Sequence, residues 1–148
     1  MSAVQPFRRV LVGWDASRDA TVAMRAAAAI AGDDRGHVVA LAVLPPGGHA
    51  EAAVERSADR DAVRDRVRWR FEELCLELAG PGSARMSLQF GADRHVARTL
   101  CGYAAEHGFD LLVVGRRGNG GVAPGKLGHV ADATARARTV PVLLMSAL

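Results

Sequence analysis

The sequence LLVVGRRGNGGVAPGKLGHV occupies residues 111–130 and joins two different structural signals. Residues 111–114 are four consecutive apolar residues, which is typical of a strand buried on both faces, as in parallel sheets. A glycine-rich loop follows at residues 115–128 and leads into a helical pattern that extends to about residue 138. This order predicts a crossover unit of an α/β fold, with the loop at the carboxyl end of its strand.

Strand and helix patterns alternate in the same way along the rest of the chain. Apolar or alternating runs predict four further strands at residues 9–12, 38–44, 85–90 and 140–145, with helical patterns between them. Five strands and four helices predict an open, mostly parallel sheet with helices on both faces, in a single domain covering residues 1–148. Because proline cannot donate to a strand ladder, Pro141 predicts that the last strand lies at a sheet edge.

The first helix is predicted to begin after a polar turn. Ser17 is of a residue type that caps helix N-termini, and Asp19 falls in the first turn, where the helix dipole favours a negative charge. The helix is rich in alanine, which allows close approach to a sheet, and Gly32 marks its end.

The composition is that of a folded globular protein. The 148 residues are 49% hydrophobic and 24% charged, which excludes extended disorder. No apolar stretch reaches the roughly 18 residues that a membrane span needs, and the N-terminal residues contain no apolar signal-peptide segment. Cys75 and Cys101 lack metal-ligand spacing. We therefore expect a cytoplasmic protein with no membrane partner, since unpaired cysteines suit a reducing compartment.

The charge pattern points to a small ligand. The chain has 19 basic and 16 acidic residues, a formal net charge of +3, and the basic excess falls in the last third, near Arg116, Arg117 and Lys126. A small basic cluster suits a small anionic ligand, whereas a nucleic acid requires a broader stripe of cations. We therefore expect no nucleic-acid partner.

Two common nucleotide-binding motifs fit the glycine loop poorly. Residues 120–126 imitate a P-loop, but Leu127 stands where a magnesium-binding Ser or Thr is required. Residues 118–123 imitate a dinucleotide fingerprint, but the strand that follows brings no acidic residue to hold a ribose. Both interpretations are rejected.

The loop and its flanks together support a third interpretation. The spacing Gly115-x2-Gly118-x9-Gly128 after an apolar strand resembles the glycine signature of the universal stress protein family. Residues 10–17, VLVGWDAS, are similar to that family's first strand and acidic turn, and residues 41–43 are similar to its second strand. The resemblance covers nearly the whole chain. It implies a five-stranded, Rossmann-like sheet in the order 3-2-1-4-5 and a homodimer. The apolar edge that residues 142–145 would leave in a monomer predicts that the homodimer forms through the C-terminal strand.

The family has members that bind ATP and members that do not, and this glycine spacing marks the nucleotide-binding branch. The resemblance implies that the ligand is ATP or another adenine nucleotide, AMP or cyclic AMP, with Mg2+ as an accompanying ion. It implies that the adenosine is framed by Gly13, Asp15 and Val43. It assigns the phosphates to Gly115, Arg116, Arg117, Gly118, Asn119, Gly120 and Gly121. It assigns the helix start beside them to Gly128, His129, Val130 and Ala131.

One position departs from the family signature, which ends in Ser or Thr where this chain has His129. The main-chain N–H is retained, but the small hydroxyl is lost. An imidazole can donate to a phosphate oxygen and can carry a positive charge. It is also bulky, and this favours a nucleotide with fewer phosphates.

Three functions are compatible with these features. The first is a regulatory stress-response protein that binds an adenine nucleotide. The second is a nucleotide-free dimeric interaction module of the same fold, and the third is a small enzyme of the wider adenine-nucleotide hydrolase-like superfamily. The sequence contains no paired carboxylates and no H-E-x-x-H or G-x-S-x-G motif, so we assign no catalytic residue and no metal ligand. At most, slow ATP hydrolysis is expected.

Overall fold

A computed structural model describes residues 7–44, 53–118 and 127–148. Strands and helices alternate along these residues. They are β1 (Arg9–Gly13), α1 (Arg18–Ala31), β2 (His37–Leu44), α2 (Ala53–Leu78), β3 (Arg85–Ala92), α3 (Val96–Glu106), β4 (Leu111–Gly115), α4 (His129–Ala137) and β5 (Val142–Met145).

The strands form one sheet in the order β3-β2-β1-β4-β5, and every neighbouring pair is parallel. The predicted order and α/β class are thus confirmed, and the sheet is parallel throughout the described strands rather than mostly so. β5 lies at an edge, as Pro141 predicts. No helix in the described ranges is both long enough and apolar enough to cross a membrane.

Side chains on alternate sides of the sheet build two separate cores. In β1, Val10 and Val12 pack with residues of α1 and α2, whereas Leu11 packs with residues of α3 and α4. All three are fully buried, at 0% exposure. This explains the continuous apolar runs, because a strand covered on both faces has no polar side.

α1 lies close to the sheet because its buried face consists largely of alanine. The Oγ atom of Ser17 accepts a hydrogen bond from the main-chain N–H of Ala20 at 3.1 Å and so caps the helix as predicted. Ala23 and Ala27 are fully buried, and their small side chains let the helix axis approach the strands. The helix ends at Ala31, one residue before Gly32, whose φ of 82° few other residues adopt.

Two predicted strands differ from the structure by two residues. β5 begins at Val142 rather than at residue 140, because its pairing with β4 starts there. β3 is longer than predicted. The strand continues to Ala92 rather than ending at Phe90, because its ladder with β2 extends through the pairs of Val43 with Gly91 and Leu44 with Ala92. Residues 91 and 92 therefore belong to the strand. The neighbouring strand β2 thus extends β3 beyond the alternating pattern in the sequence of β3 itself.

Candidate functional site

A cavity opens at the carboxyl ends of β1 and β4. These central strands are neighbours, and the chain leaves them towards opposite faces of the sheet, which makes this the topological switch point where α/β proteins bind ligands. The cavity measures about 270 Å³, close to the lower end of the range of roughly 300–1,000 Å³ for small-molecule sites. Its lining comprises Gly13, Trp14, Asp15, Ser17, Ala20, Leu41, Val43, Val96, Leu100, Val114, Gly115, Arg116, Arg117, Gly118, Gly128, His129, Val130 and Ala131.

Every predicted site residue within the described ranges lines this cavity. They are Gly13, Asp15, Val43, Gly115, Arg116, Arg117, Gly118, Gly128, His129, Val130 and Ala131. The other predicted residues, Asn119, Gly120 and Gly121, lie outside the described residues. The fold thus brings together three distant parts of the sequence, and the role of each residue in binding stays a prediction.

An apolar wall was missed by the sequence predictions. Val96 and Leu100 of α3 and Leu41 of β2 line one side of the cavity. The periodicity of α3 indicates only that these residues face a core. Which end of the sheet they reach depends on the packing of α3 on β1 and β2, and a linear pattern does not carry that information.

Trp14 was likewise missed, although it sits between two predicted site residues. Its main-chain N–H donates to the carbonyl of Leu41, and its indole Nε1 donates to the carbonyl of Val67 in α2, both at 3.0 Å. The ring contacts Phe71 edge-to-face at a centroid distance of 6.4 Å. Trp14 is only 3% exposed, so the main chain that follows β1 is fixed to α2 by a buried side chain.

The acidic turn after β1 is held by its own side chain. One carboxylate oxygen of Asp15, Oδ1, accepts the main-chain N–H of Ser17 at 2.9 Å, forming a turn in which Ala16 has a φ of 62°. The second oxygen, Oδ2, would lie 3.0 Å from a Cβ atom placed on Gly118. The acidic turn and the glycine loop therefore meet across the cavity.

Gly115 ends β4 and has a structural role that the sequence did not predict. A Cβ atom at this position would lie 2.7 Å from the Cβ of Asp19 and 3.1 Å from the main-chain nitrogen of Ala20. The start of α1 packs directly on Gly115. The resemblance assigns this glycine to phosphate contact, and the structure gives a second reason for it, the close approach of a helix to a strand.

The glycine loop is closed at its base by main-chain hydrogen bonds. The Arg116 N–H donates to the carbonyl of Met145 at 2.7 Å, and the Arg116 carbonyl accepts the N–H of Gly128 at 2.8 Å. Gly128 is buried, and a Cβ atom there would lie 3.2 Å from that carbonyl oxygen. The small size of Gly128 therefore permits the closure, which places the start of α4 beside the end of β4.

Asp19 does not line the cavity, but it holds the glycine loop through Arg117 and is only 4% exposed. Its Oδ2 atom accepts the main-chain N–H of Arg117 at 2.9 Å and lies 3.5 Å from the Arg117 Nε, while its Oδ1 accepts the N–H of Ala147 at 2.8 Å. Burial alone would raise the pKa of Asp19, but the hydrogen bonds from Ala147 and Arg117 and the guanidinium charge outweigh it and lower the pKa. The carboxylate is thus held in its charged form.

From the sequence, Asp19 was predicted only to lie in the first turn of α1, where the helix dipole favours a negative charge. Its partners Arg117 and Ala147 are 98 and 128 residues away. No local pattern can indicate contacts at that separation.

Polar groups at the loop end of the cavity suit an anion. The Nε atom of Arg116 is buried and has no hydrogen-bond partner among the described residues. Gly128, the N-cap of α4, offers no side-chain cap, so the first-turn N–H groups of α4 lack both an intrahelical acceptor and a capping oxygen. Such N–H groups and the helix dipole attract negative charge. The His129 side chain at this helix start is exposed.

Metal-ligating side chains are not gathered here. Across the described residues, no group of three His, Cys, Asp or Glu side chains is placed to hold a metal ion.

Comparison with solved structures shows the fold of this chain in several universal stress proteins. One from Archaeoglobus fulgidus has a TM-score of 0.70 at 19% identity, covering 94% of this chain and 98% of that one. A universal stress protein in complex with cAMP gives 0.57 at 23% identity, with 95% and 97% covered. A universal stress protein family protein from Arabidopsis thaliana with AMP bound gives 0.62 at 12% identity, with 95% and 92% covered.

At the level of sequence, no curated protein matches the chain. A sequence model of the universal stress protein family, however, matches residues 6–146, which is nearly the whole chain. With the sheet order and the cavity at its switch point, this match leads to one conclusion: the chain belongs to the universal stress protein family.

Proposed function

We propose that this protein binds an adenine nucleotide in the cavity between β1 and β4 and acts as a regulatory protein in stress physiology. The observation that carries this proposal is the buried Nε of Arg116, a cavity-lining residue, which has no partner in the part of the chain that the structure describes. A buried donor without an acceptor is unfavourable, and a phosphate oxygen would satisfy it.

The loop end of the cavity would take the phosphates. The first-turn N–H groups of His129, Val130 and Ala131 lie at the N-terminus of α4, beside Arg116. A helix N-terminus stabilises an anion by about 0.3–1 kcal/mol, and by up to about 2 kcal/mol when partly buried. Any Mg2+ would be held through the phosphates, because the described residues provide no cluster of ligands for it.

The other end of the cavity would take the nucleoside. Val43, Val96 and Leu100 provide an apolar wall for a flat base, and Asp15 provides carboxylate oxygens that can accept from ribose hydroxyls or from an adenine amino group. Relatives of the same fold were solved with cAMP and with AMP, each of which carries a single phosphate. That supports a nucleotide with few phosphates beside His129.

The proposal is tested by titrating purified protein with ATP, AMP and cyclic AMP in a calorimeter at high protein concentration. Mass spectrometry of small molecules released by denaturing the purified protein identifies any nucleotide that it carries. Heat from at least one of the three nucleotides supports the proposal. No heat from any of them, together with no nucleotide released on denaturation, overturns it.

A nucleotide-free interaction module is the second candidate, and one observation favours it. Both the main-chain N–H and the Nε of Arg117 are already directed at Asp19, so these donors are occupied without a ligand. We also propose a cytoplasmic location for either function, since Cys75 and Cys101 are both free thiols.

Exchanging His129 for serine is expected to change which nucleotide binds best. The imidazole is bulkier than the hydroxyl that ends the family signature, and it lies at the start of α4 beside the loop end of the cavity. In His129→Ser the main-chain N–H remains, and the affinity for ATP should rise relative to the affinity for AMP. Calorimetry with both nucleotides measures the two affinities. The same ratio of affinities in wild type and variant would show that the side chain takes no part.

We further propose a homodimer formed through β5. Among the described strands β5 pairs only with β4, so one of its edges is open to a second copy. The carbonyls of Pro141 and Met145 accept from β4, and by strand alternation the N–H groups of Val142 and Leu144 face the open side.

Light scattering at tens of micromolar is expected to give twice the mass of one chain. Leu144→Pro removes one N–H from the open edge and should shift the protein towards monomer. Leu144→Val keeps that N–H while also shortening the side chain, and it should remain dimeric. A monomeric wild type contradicts the dimer.

A further inference from the structure

Asp19 joins two segments that leave the carboxyl ends of the neighbouring strands β4 and β5. Its Oδ2 atom accepts from Arg117 in the loop after β4, and its Oδ1 accepts from Ala147 in the segment after β5. Neither Asp19 nor Ala147 lines the cavity. One carboxylate outside the cavity therefore connects the glycine loop to residues 146–148.

The position of this carboxylate is fixed by packing. The Cβ of Asp19 lies where a side chain on Gly115 would stand, so the start of α1 is set against the end of β4. Asp19 is also buried, and a buried carboxylate requires hydrogen bonds to both oxygens. If either Arg117 or Ala147 moved, one oxygen would lose its partner.

The contact on Arg117 extends to the anion-binding end of the cavity. Arg117 follows Arg116, whose carbonyl accepts the N–H of Gly128 at the start of α4. Holding Arg117 in place therefore orients the main chain that sets the distance between the loop and α4. A site that is held in its binding geometry before the ligand arrives binds more tightly, because less ordering is needed.

We propose that Asp19 is a positioning residue of the nucleotide site, a role that rests on the proposed function, and that through it residues 146–148 raise the affinity of the cavity for adenine nucleotide. The nucleotide and the segment after β5 are then linked. Ordering of that segment favours binding, and binding favours its ordering by the same factor.

The variant Ala147→Pro tests this with the smallest change. It removes the one N–H that donates to Asp19 Oδ1 and leaves every cavity-lining residue in place. Titration with ATP and with AMP should show affinity roughly three- to tenfold weaker than wild type, the range for one ordinary hydrogen bond. Leu148→Pro, one residue further, keeps that N–H and should stay within about twofold of wild type.

A second variant, Asp19→Asn, changes the carboxylate itself rather than one of its donors. Asp19→Asn has only one accepting oxygen for the donors of Arg117 and Ala147, and it should bind about tenfold more weakly. Adding Ala147→Pro to Asp19→Asn should cause little further loss, because both changes act on the same contact. Asp110→Asn serves as the control, because Asp110 Oδ2 also accepts two main-chain N–H groups, those of Arg8 and Arg9, but lies before β4 at the opposite end of the sheet from the cavity.

Affinity is measured where circular dichroism shows every variant fully folded. A merely structural role for Asp19 would lower the midpoint of thermal unfolding and leave the affinity of folded protein unchanged, and this overturns the proposal. Should Asp19→Asn fail to fold, Ala147→Pro against Leu148→Pro decides alone. Wild type that binds no nucleotide overturns the proposed function, whereas normal binding by Ala147→Pro overturns the role of Asp19 only.

Discussion

Replacing Gly115 with alanine should lower the free energy of unfolding by about 1–3 kcal/mol, the usual cost of overpacking a well-packed contact. The added Cβ would stand 2.7 Å from the Cβ of Asp19 and 3.0 Å from its carbonyl carbon. The carbonyl carbon belongs to the main chain of α1, so relief requires the whole helix start to move. Urea denaturation followed by circular dichroism measures the loss.

Gly91 in β3 provides the matched control, because it is also a strand glycine near the carboxyl end of the sheet. A Cβ atom there would meet its nearest neighbours, Thr99 Cγ2 and Leu41 Cδ1, at 3.7 and 3.8 Å, which are ordinary contact distances. We expect Gly91→Ala to be neutral or slightly stabilising, since alanine reduces the freedom of the unfolded chain. Equal destabilisation by both variants would show that α1 is not held tightly against Gly115.

Gly118→Val is expected to abolish nucleotide binding while the fold remains stable. A Cβ atom at residue 118 would lie 3.0 Å from Asp15 Oδ2, so the branched side chain would fill the gap between the glycine loop and the acidic turn. Gly118 is exposed and does not have a left-handed φ, so the main chain itself tolerates a side chain. If the filled gap costs the phosphate two hydrogen bonds from the loop, at about 1.5–3 kcal/mol each, binding would weaken about a hundredfold or more.

Calorimetry with ATP and AMP measures this loss, and Gly102→Val is the control. Gly102 lies on α3, where a Cβ atom would find no heavy atom within 4 Å, and it does not line the cavity. That variant should bind as wild type does. Nucleotide affinity that survives in Gly118→Val would place the phosphates elsewhere.

Gly115 and Gly118 show which part of the site could be predicted from the sequence. The glycine spacing correctly placed a loop between β4 and α4, but it assigned both glycines to phosphate contact. The structure separates them, because Gly115 lies against Asp19 of α1 whereas Gly118 faces Asp15 across the cavity. Such a distinction depends on which helix packs on which strand, and it is not encoded in the spacing of the glycines themselves.

The strands were predictable because burial on both faces leaves a direct trace in the sequence. Val10 and Leu11 point to opposite cores, and each must be apolar regardless of its neighbours. The edge position of β5 was also predicted correctly, but Pro141 precedes the strand and its carbonyl faces β4, so its missing N–H does not determine that position. The apolar wall of Val96 and Leu100 left no such trace, since a residue in a core and a residue at a cavity have the same hydrophobic signature.

The burial of Trp14 gives this protein an internal optical reporter. The chain has two tryptophans, and the other, Trp69, is 60% exposed on α2. The indole of Trp14 packs against Phe71 and donates to the carbonyl of Val67 in α2, so it emits from an apolar core, whereas Trp69 emits from a solvent-exposed position. In a Trp69→Phe protein all tryptophan fluorescence would come from the core between α2 and the sheet. Loss of packing between α2 and the sheet could then be followed at submicromolar concentrations and in real time, without attaching a dye.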